Sequence, residues 1–288
     1  MFDLLITAPQ LKQGLHDAGL LIFDVRHSLQ DHAAGRQAYE AGHIPGAIFL
    51  DHETQLSAAK TGANGRHPLP LLSEFAGLMR AHGLTSRTQV VAYDDSAGMY
   101  AAHLWWMLRW LGHRHVAVLD GGWSAWLAAG GESETRVRGP RVTEAQAIQS
   151  SLPGSKPAMP TVDAQAVLAN LSAPVFAVVD ARAPERFRGE VEPMDPVAGH
   201  IPNALNRPTG RNVDSEGRFK SPETLRAEFE ALLGGRPPQH VVHSCGSGIS
   251  ACHNLFAMEL AGLGGSSLYP GSWSEWCSDA TRPVARGA

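Results

Sequence analysis

The sequence has 288 residues, a mass of 30.8 kDa and a formal net charge of −4 from 24 basic and 28 acidic side chains. At roughly 100–200 residues per domain, this length predicts two domains. The apolar fraction of 43% and the charged fraction of 18% favour packed globular domains over a disordered chain. Lys and Arg form no block, so neither a nucleic acid nor an anionic membrane surface is an expected partner.

The chain alternates short apolar runs with helical patterns. Six runs are continuous and partly β-branched, as in the buried strands of a parallel sheet. They are Leu20–Val25, Gln89–Tyr93, Val116–Leu119, Val175–Asp180, His240–Ser244 and Ser267–Tyr269. Helical patterns over Ser96–Leu111 and Ser250–Ala261 each end at a glycine. The alternation predicts an α/β fold, a parallel sheet with helices on both faces.

Four landmarks occur twice in the same order, between 150 and 157 residues apart. They are Phe23-Asp24-Val25-Arg26 with Val179-Asp180-Ala181-Arg182, Gly42-His43-Ile44-Pro45 with Gly199-His200-Ile201-Pro202, Val90-Val91 with Val241-Val242, and Gly121-Gly122-Trp123 with Gly271-Ser272-Trp273. So long a period indicates two copies of one domain. A polar stretch rich in Pro and Ser separates the copies. We predict domains over 1–135 and 160–288, joined by a linker over 136–159.

The cysteine content indicates the compartment of the protein. Cys245, Cys252 and Cys277 are the only cysteines, and so small an odd number is a poor disulfide framework. The first residues show no basic segment before a small-residue cleavage site, so no signal peptide is expected. The most apolar helical stretch, Tyr100–Leu111, is too short to span a bilayer. We therefore expect a cytoplasmic protein in a reducing environment.

Cys245 lies between a predicted strand and a predicted helix, at the start of Cys245-Gly246-Ser247-Gly248-Ile249-Ser250-Ala251. The two glycines let the backbone curl with its N–H groups inward, and the helix N-terminus adds positive potential. Such a nest stabilises a thiolate, a persulfide or an anionic substrate. The alternative is a buried structural cysteine beside a tight turn. Asp94 occupies the matching position of the first copy, so thiolate chemistry is expected only in the second copy.

This loop, both Gly-His-Ile-Pro turns and the repeated tryptophan motifs resemble the two-domain rhodanese superfamily over nearly the whole chain. The loop is most similar to the Cys-Gly-Ser-Gly-Val-Thr-Ala form of 3-mercaptopyruvate sulfurtransferases. The resemblance implies two tandem rhodanese-like domains, with only the C-terminal one catalytic. It implies transfer of a sulfane sulfur from 3-mercaptopyruvate or thiosulfate, through a persulfide on Cys245, to cyanide or to a thiol such as thioredoxin. It implies neither a metal nor an organic cofactor.

The resemblance also implies roles for individual residues. Ser247, Asp51 and His67 match a hydrolase-like triad that would supply a proton to the departing pyruvate enolate. From the residues alone, Asp51 is better interpreted as a turn residue and His67 as a loop histidine before a proline. The loop positions expected to bind substrate are Gly246, Gly248, Ile249 and Ser250.

The expected clamp for a keto-acid carboxylate is incomplete in the sequence. Arg186 matches one substrate-binding arginine of the family, but Met194 stands where the second is expected. Without the second arginine, a bidentate contact to the carboxylate is missing. The preference between 3-mercaptopyruvate and thiosulfate therefore stays open. Three arginines are candidates to replace it, namely Arg66, Arg182 and Arg188.

Other interpretations of the same residues are less complete. A Cdc25-like phosphatase needs an arginine six residues after the cysteine, where this chain has Ala251. A non-catalytic sulfur-relay or redox-sensing module would use Cys252 or Cys277 as a resolving thiol. A zinc site would draw its ligands from His243, Cys245, Cys252 and His253. His43 and His200 occur in both copies, so we expect them to be structural.

Overall fold

The computed structural model describes residues 1–140, 142 and 156–287. The chain divides into two units. Their segments are Met1–Ala58, Pro70–Met159 and Ser215–Arg218 in the first unit, and Ala59–Leu69, Pro160–Asp214 and Phe219–Ala288 in the second. The segment Ala59–Leu69 therefore belongs with the C-terminal copy, although it lies early in the sequence. Most of the predicted linker, 136–159, lies outside the described residues.

The first unit contains a five-stranded parallel sheet in the order β1-β5-β4-β2-β3. Its strands are β1 (Leu5–Ile6), β2 (Leu20–Asp24), β3 (Ile48–Phe49), β4 (Gln89–Tyr93) and β5 (Val116–Leu119). Its helices are α1 (Ala8–Gln13), α2 (Ala34–Ala41), α3 (Leu72–Ala81), α4 (Met99–Trp110) and α5 (Gly122–Ala128). Non-sequential neighbours in a parallel sheet require crossovers, which these helices provide.

Both faces of this sheet are buried. Along β2, Leu20 and Ile22 point into a core cluster with Leu11 of α1 and Trp126 of α5. Because side chains alternate along a strand, the residues between them face the opposite side. Phe23 on that side is fully buried, and its ring lies 5.7 Å from that of His82 at the end of α3. This confirms the prediction of an α/β sheet with helices on both faces.

The second unit contains a four-stranded parallel sheet in the order β7-β6-β8-β9. Its strands are β6 (Ala177–Asp180), β7 (Leu205–Asn206), β8 (Val241–Ser244) and β9 (Ser267–Leu268). Its helices are α6 (Ala164–Ser172), α7 (Pro184–Phe187), α8 (Pro222–Leu233), α9 (Ala251–Leu260) and α10 (Ser272–Trp276), with 3-10 turns at Thr209–Asn212 and Pro238–His240. Strand β8, which precedes Cys245, is central in this sheet.

Each unit holds the same buried ion pair at the end of a central strand. In the first copy, Arg26 Nη2 donates to Asp24 at 2.6 Å and to the carbonyl of Gly42 at 2.7 Å, with the guanidinium 4.9 Å from the Trp123 ring. The second copy repeats these contacts with Arg182, Asp180, Gly199 and Trp273. The repeated landmarks are therefore one packing unit in which buried charges satisfy each other.

The histidines of the Gly-His-Ile-Pro turns are structural, as predicted. The His43 ring stacks on Tyr39 at 3.8 Å, and its Nδ1 lies 2.7 Å from the carbonyl oxygen of Tyr39. The His200 ring stacks on Phe187 at the same distance, with its Nδ1 2.7 Å from the Phe187 carbonyl oxygen. Both backbones also bridge to a distant strand-like segment, at Glu134 and at Ala285. These contacts occupy each ring in the same way in both copies.

Helix α4 begins at Met99, three residues later than the sequence predicts. The N–H groups of Ser96 and Gly98 donate to the carboxylate of Asp94, which holds this part of the chain as a loop. Three two-residue strands, β1, β3 and β7, were not predicted because two residues show no periodicity. No helix within the described residues is both long and apolar enough for a membrane span.

Candidate active site

Cys245 follows the central strand β8 and begins a loop that curls around its own sulfur. The Sγ atom accepts hydrogen bonds from the backbone N–H groups of Ser247, at 3.4 Å, and Gly248, at 3.1 Å. The residue is only 1% exposed. Converging N–H donors in a water-poor site stabilise a negatively charged sulfur, as a thiolate or as a persulfide.

Ser272 fixes the start of this loop from the beginning of α10. Its hydroxyl accepts the N–H of Cys245 at 3.1 Å and donates to the carbonyl of Tyr269 at 2.9 Å. Ser272 adopts a positive φ of 52°, which is costly for a residue with a side chain. Ser272 is not among the residues that the sequence predicts for the site. The available signal was that the first copy has a glycine, Gly122, at the matching position.

Gly248 is required by both conformation and space. Its φ is +90°, and a Cβ atom would lie 2.4 Å from the carbonyl oxygen of Pro270. The next two residues lead into α9. Ile249 is buried, and its carbonyl accepts the N–H of Cys252, while Ser250 is the residue directly before α9. The loop shape therefore depends on a glycine at position 248.

We expect Gly248→Ala to destabilise the protein more than Gly234→Ala. Gly234 also has a positive φ, +60°, but a Cβ there would meet nothing within 4 Å. The conformational cost alone is about 1–2 kcal/mol, and overpacking at position 248 adds roughly 1–3 kcal/mol. Urea unfolding of both variants measures the difference. Equal losses in the free energy of unfolding would contradict the proposed clash with Pro270.

Ser247 and His67 are hydrogen-bonded to each other. Nδ1 of His67 lies 2.8 Å from Oγ of Ser247, and both side chains are buried. His67 reaches the loop because the segment Ala59–Leu69 is part of the second unit. The backbone N–H of Arg66 donates to Ser274 Oγ at 3.0 Å, which anchors this segment on α10. His67 and Ser247, which the family resemblance assigns to one triad, are 180 positions apart in the chain and in direct contact.

Asp51 lies in the first unit, directly after β3. Its Oδ1 accepts the N–H groups of Glu53 at 2.8 Å and Thr54 at 3.1 Å. Its own N–H donates to Oε1 of Gln55 at 2.9 Å. These contacts are those of a turn residue. A role for Asp51 in orienting His67 remains a prediction.

Two guanidinium groups lie beside the cysteine loop. A Cβ atom on Gly246 would lie 2.8 Å from Nη2 of Arg66 and 3.7 Å from Nη1 of Arg186. Arg186 is paired with Glu192 at 2.6 Å, and Arg66 is paired with Asp195. Within the described residues, the buried Nε atom of each arginine has no hydrogen-bond acceptor. Each arginine is thus held by a carboxylate, and its Nε–H can still donate a hydrogen bond.

The other two candidate arginines have different contacts. Arg182 is buried in the ion pair with Asp180 that holds the second copy together. Arg188 forms an exposed pair with Glu190. Arg66 is therefore the one of the three whose guanidinium lies against Gly246.

Comparison with known proteins identifies the fold and its relatives. The rhodanese-like domain family matches residues 7–129 and again 163–279. The chain belongs to the rhodanese family. It is 48% identical over 290 residues to a probable 3-mercaptopyruvate sulfurtransferase of Pseudomonas aeruginosa, covering 98% of each chain. It is 34% identical to a thiosulfate sulfurtransferase of Cricetulus griseus, covering 95% of this chain and 90% of the other.

A solved structure shows the same fold. The 3-mercaptopyruvate sulfotransferase SseA of Escherichia coli superposes with a TM-score of 0.77 at 30% identity. The match covers 93% of this chain and 98% of SseA. The prediction of two tandem rhodanese-like domains is therefore confirmed.

The rhodanese loop of the first copy holds an aspartate in place of the cysteine. Four backbone N–H groups donate to the Asp94 carboxylate at 2.7 to 2.9 Å, from Ser96, Gly98, Tyr100 and Ala101. The first copy therefore encloses its own carboxylate with the kind of donors that surround Cys245. These hydrogen bonds give Asp94 a structural role. A carboxylate at this position fits the expectation that thiolate chemistry is confined to the second copy.

The other groups proposed as zinc ligands do not form a common site with Cys245. His243 Nε2 lies 3.1 Å from the Met258 sulfur, and His253 Nδ1 lies 3.1 Å from Asn212 Nδ2. Burial lowers the pKa of His243 to about 3. The thiol of Cys252 donates to the carbonyl of Gly248 at 3.4 Å. Each of these side chains therefore has its own partner within the fold.

Cys252 and Cys277 differ from Cys245 in their surroundings. All three cysteines are free thiols. Burial, followed by the charge of the nearby Cys245, raises the pKa of Cys252 well above its ordinary value. Burial also raises the pKa of Cys277 to about 11. Both thiols therefore stay protonated at neutral pH and are poor nucleophiles.

Proposed function

We propose that this protein is a sulfurtransferase that moves a sulfane sulfur from 3-mercaptopyruvate or thiosulfate to a thiol or cyanide through a Cys245 persulfide. The observation that carries the proposal is the position of Cys245 Sγ, which accepts two backbone N–H groups in a loop flanked by two guanidinium groups. The names of relatives over nearly the full length support the same reaction.

With 3-mercaptopyruvate, the Cys245 thiolate attacks the substrate sulfur. A sulfur–sulfur bond forms and the carbon–sulfur bond breaks, so the electron pair leaves on the enolate of pyruvate. The substrate thiol loses one proton and the enolate carbon gains one. The products are therefore a persulfide anion on Cys245 and pyruvate. The N–H groups of Ser247 and Gly248 would stabilise the negative sulfur throughout.

The hydrogen-bonded pair of Ser247 and His67 is suited to move that proton. The His67 imidazole would first take up the proton of the substrate thiol through the Ser247 hydroxyl. Its Nδ1–H would then donate to Oγ of Ser247 while the hydroxyl proton passes to the enolate carbon, which restores the neutral imidazole and the hydroxyl. Both side chains are buried, so bulk water does not compete for the transfer. We include Asp51 as the third member, which would orient the imidazole.

Arg186 and Arg66 form the proposed carboxylate clamp. Both guanidinium groups lie beside Gly246, next to the cysteine, and a keto-acid carboxylate is a preferred ligand for two such groups. Arg66 would thereby replace the family arginine that Met194 removes. Gly246, Gly248, Ile249 and Ser250 would line the same site.

We expect Arg66→Met to lower kcat/KM for 3-mercaptopyruvate by about 10- to 100-fold, because one charged hydrogen bond to the carboxylate is lost. Arg188→Met is the matched control, since it removes an exposed arginine paired with Glu190. Steady-state kinetics, with melting temperatures to confirm folding, measure the effect. If Arg66→Met behaves like Arg188→Met, the clamp does not use Arg66. Partial recovery in Arg66→Met/Met194→Arg would support it further.

Thiosulfate is the second donor that the site accommodates. Attack on its outer sulfur forms the same persulfide and releases sulfite, which needs no proton. Arg66 and Arg186 would bind the sulfonate as they bind a carboxylate. A comparison of kcat/KM for the two donors measures the preference directly.

The acceptor side of the reaction is a thiol such as thioredoxin or a small thiol, or cyanide, and the cytoplasm is the proposed compartment. Three free cysteines support a reducing environment. The alternative is a sulfur-relay or redox-sensing module that forms a persulfide without turning over. Continuous thiocyanate formation from a sulfur donor and cyanide would contradict the alternative.

The two copies are proposed to span 1–135 and 160–288, with 136–159 as the linker. The family matches leave 130–162 outside both copies, which supports a linker there. The segment Ala59–Leu69 lies within the first copy in the sequence but belongs to the second unit, together with Arg66 and His67. Limited proteolysis with mass mapping of the first cut tests the linker position.

A further inference from the structure

Three side chains of the metal-ligating type meet in the first unit. His27 follows β2, Glu53 follows β3, and His32 lies in the loop before α2. Strands β2 and β3 pair in parallel, with Asp24 opposite Phe49. The carboxyl ends of paired parallel strands lie at one edge of a sheet, so the topology brings these side chains together.

The distances between the ligand atoms are those of a coordination site. Oε1 of Glu53 lies 3.5 Å from Nδ1 of His32 and 4.0 Å from Nε2 of His27. All three atoms lie within 4.8 Å of one another. With bonds of about 2.0–2.1 Å, the ligands of a tetrahedral ion are about 3.3 Å apart. Small rotations of the side chains would bring the three atoms to that separation.

The surrounding turns hold two of the three ligands in place. The Glu53 N–H donates to Asp51 Oδ1 at 2.8 Å, and the side chain of Glu53 is 15% exposed. The His27 side chain is 4% exposed, and its ring lies 5.4 Å from that of His52. His32 is 62% exposed and is free to adjust to an ion. A largely preformed site with one mobile ligand lowers the ordering cost of binding.

A cavity of about 500 Å³ adjoins the cluster and has His27 in its wall. The side chain of His32 is 62% exposed, so water can reach the fourth position of an ion bound by three protein atoms from that side. Two imidazole nitrogens and one carboxylate suit Zn²⁺ and its first-row neighbours, whereas Ca²⁺ and Mg²⁺ prefer oxygen ligands only.

We infer that the first unit binds one divalent first-row transition ion through Nε2 of His27, Nδ1 of His32 and Oε1 of Glu53, with water completing the coordination. All three ligands belong to the first unit. The site does not depend on the proposed function.

The test is titration of the full-length protein, free of any histidine tag, with Co²⁺ and Zn²⁺ in a Cys245→Ser background. That background prevents thiolate binding at the sulfur site. We expect one equivalent of Co²⁺ to give d–d absorption without sulfur charge-transfer bands, and Zn²⁺ to displace it.

Single substitutions locate the site. His32→Ala and Glu53→Gln are expected to lower the affinity by at least about 100-fold, because each takes away one of three ligands. His16→Ala, which removes an exposed histidine elsewhere in the first unit, should leave binding unchanged. Melting temperatures without metal show whether the variants fold. The inference is wrong if the parent protein binds no stoichiometric ion, or if His32→Ala and Glu53→Gln bind as tightly as His16→Ala.

Discussion

Replacing Cys245 with serine is expected to abolish sulfur transfer from both donors. The persulfide needs a thiolate, and a serine hydroxyl held by the same N–H groups cannot form it. Loss of a nucleophile on which a covalent step depends lowers kcat by on the order of 10⁴-fold or more. Thiocyanate formation from 3-mercaptopyruvate and from thiosulfate measures the loss.

The same experiment has a chemical readout that does not depend on turnover. Incubation of the native protein with either donor, without acceptor, should add the mass of one sulfur atom to the peptide that contains Cys245. Cys252→Ser and Cys277→Ser are the matched controls. Both thiols have pKa values raised by burial, that of Cys277 to about 11, so both variants should retain the adduct and the activity. An active Cys245→Ser protein, or an adduct on another cysteine, would contradict the proposed nucleophile.

Replacing Ser247 with alanine is expected to separate the two donors. The pyruvate enolate needs a proton and sulfite does not, so the proton relay should matter only for 3-mercaptopyruvate. General acid catalysis typically contributes 10²- to 10⁴-fold, and we expect a loss of about that size in kcat for 3-mercaptopyruvate alone. His67→Ala should behave in the same way, because His67 Nδ1 lies 2.8 Å from the Ser247 hydroxyl.

Controls distinguish a relay from general damage to the loop. The backbone N–H of Ser247, which donates to Cys245 Sγ, is retained in Ser247→Ala, so persulfide formation from thiosulfate should persist. Ser278→Ala removes an exposed hydroxyl that donates to the Glu275 carbonyl and should have no effect. Asp51→Asn tests the third member, with a smaller loss expected for 3-mercaptopyruvate. Equal losses with both donors would show that Ser247 and His67 support the loop instead of transferring a proton.

The two predictions together address the donor preference that Met194 leaves open in the sequence. If Arg66 replaces the missing arginine, Arg66→Met weakens binding of either anionic donor. Ser247→Ala, in contrast, affects only the donor whose leaving group needs a proton. Weaker binding raises KM for both donors, whereas loss of the proton relay lowers kcat for 3-mercaptopyruvate alone. Steady-state kinetics with both donors therefore distinguish the two variants.

Much of the fold could be predicted because its signals are local. Buried parallel strands such as Gln89–Tyr93 are continuous apolar runs, and the repeat places each strand twice. The glycines of the cysteine loop mark the tight turn that Gly248 requires. The proposed nucleophile, and its absence from the first copy, also follow from the sequence, since Asp94 aligns with Cys245.

The rest depended on how distant segments pack. The order of residues does not reveal that Ala59–Leu69 joins the second unit, and this placement alone brings His67 to Ser247 and Arg66 to Gly246. The role of Ser272 depends on a positive φ that is set by the contact with Cys245. Local signals in the chain predict the duplicated α/β fold and the candidate nucleophile, because strand periodicity and glycine conformations are encoded locally. Which of three arginines lies beside the cysteine loop follows from the folded chain alone, because a guanidinium position depends on the long-range path of the chain and on the carboxylates that hold it.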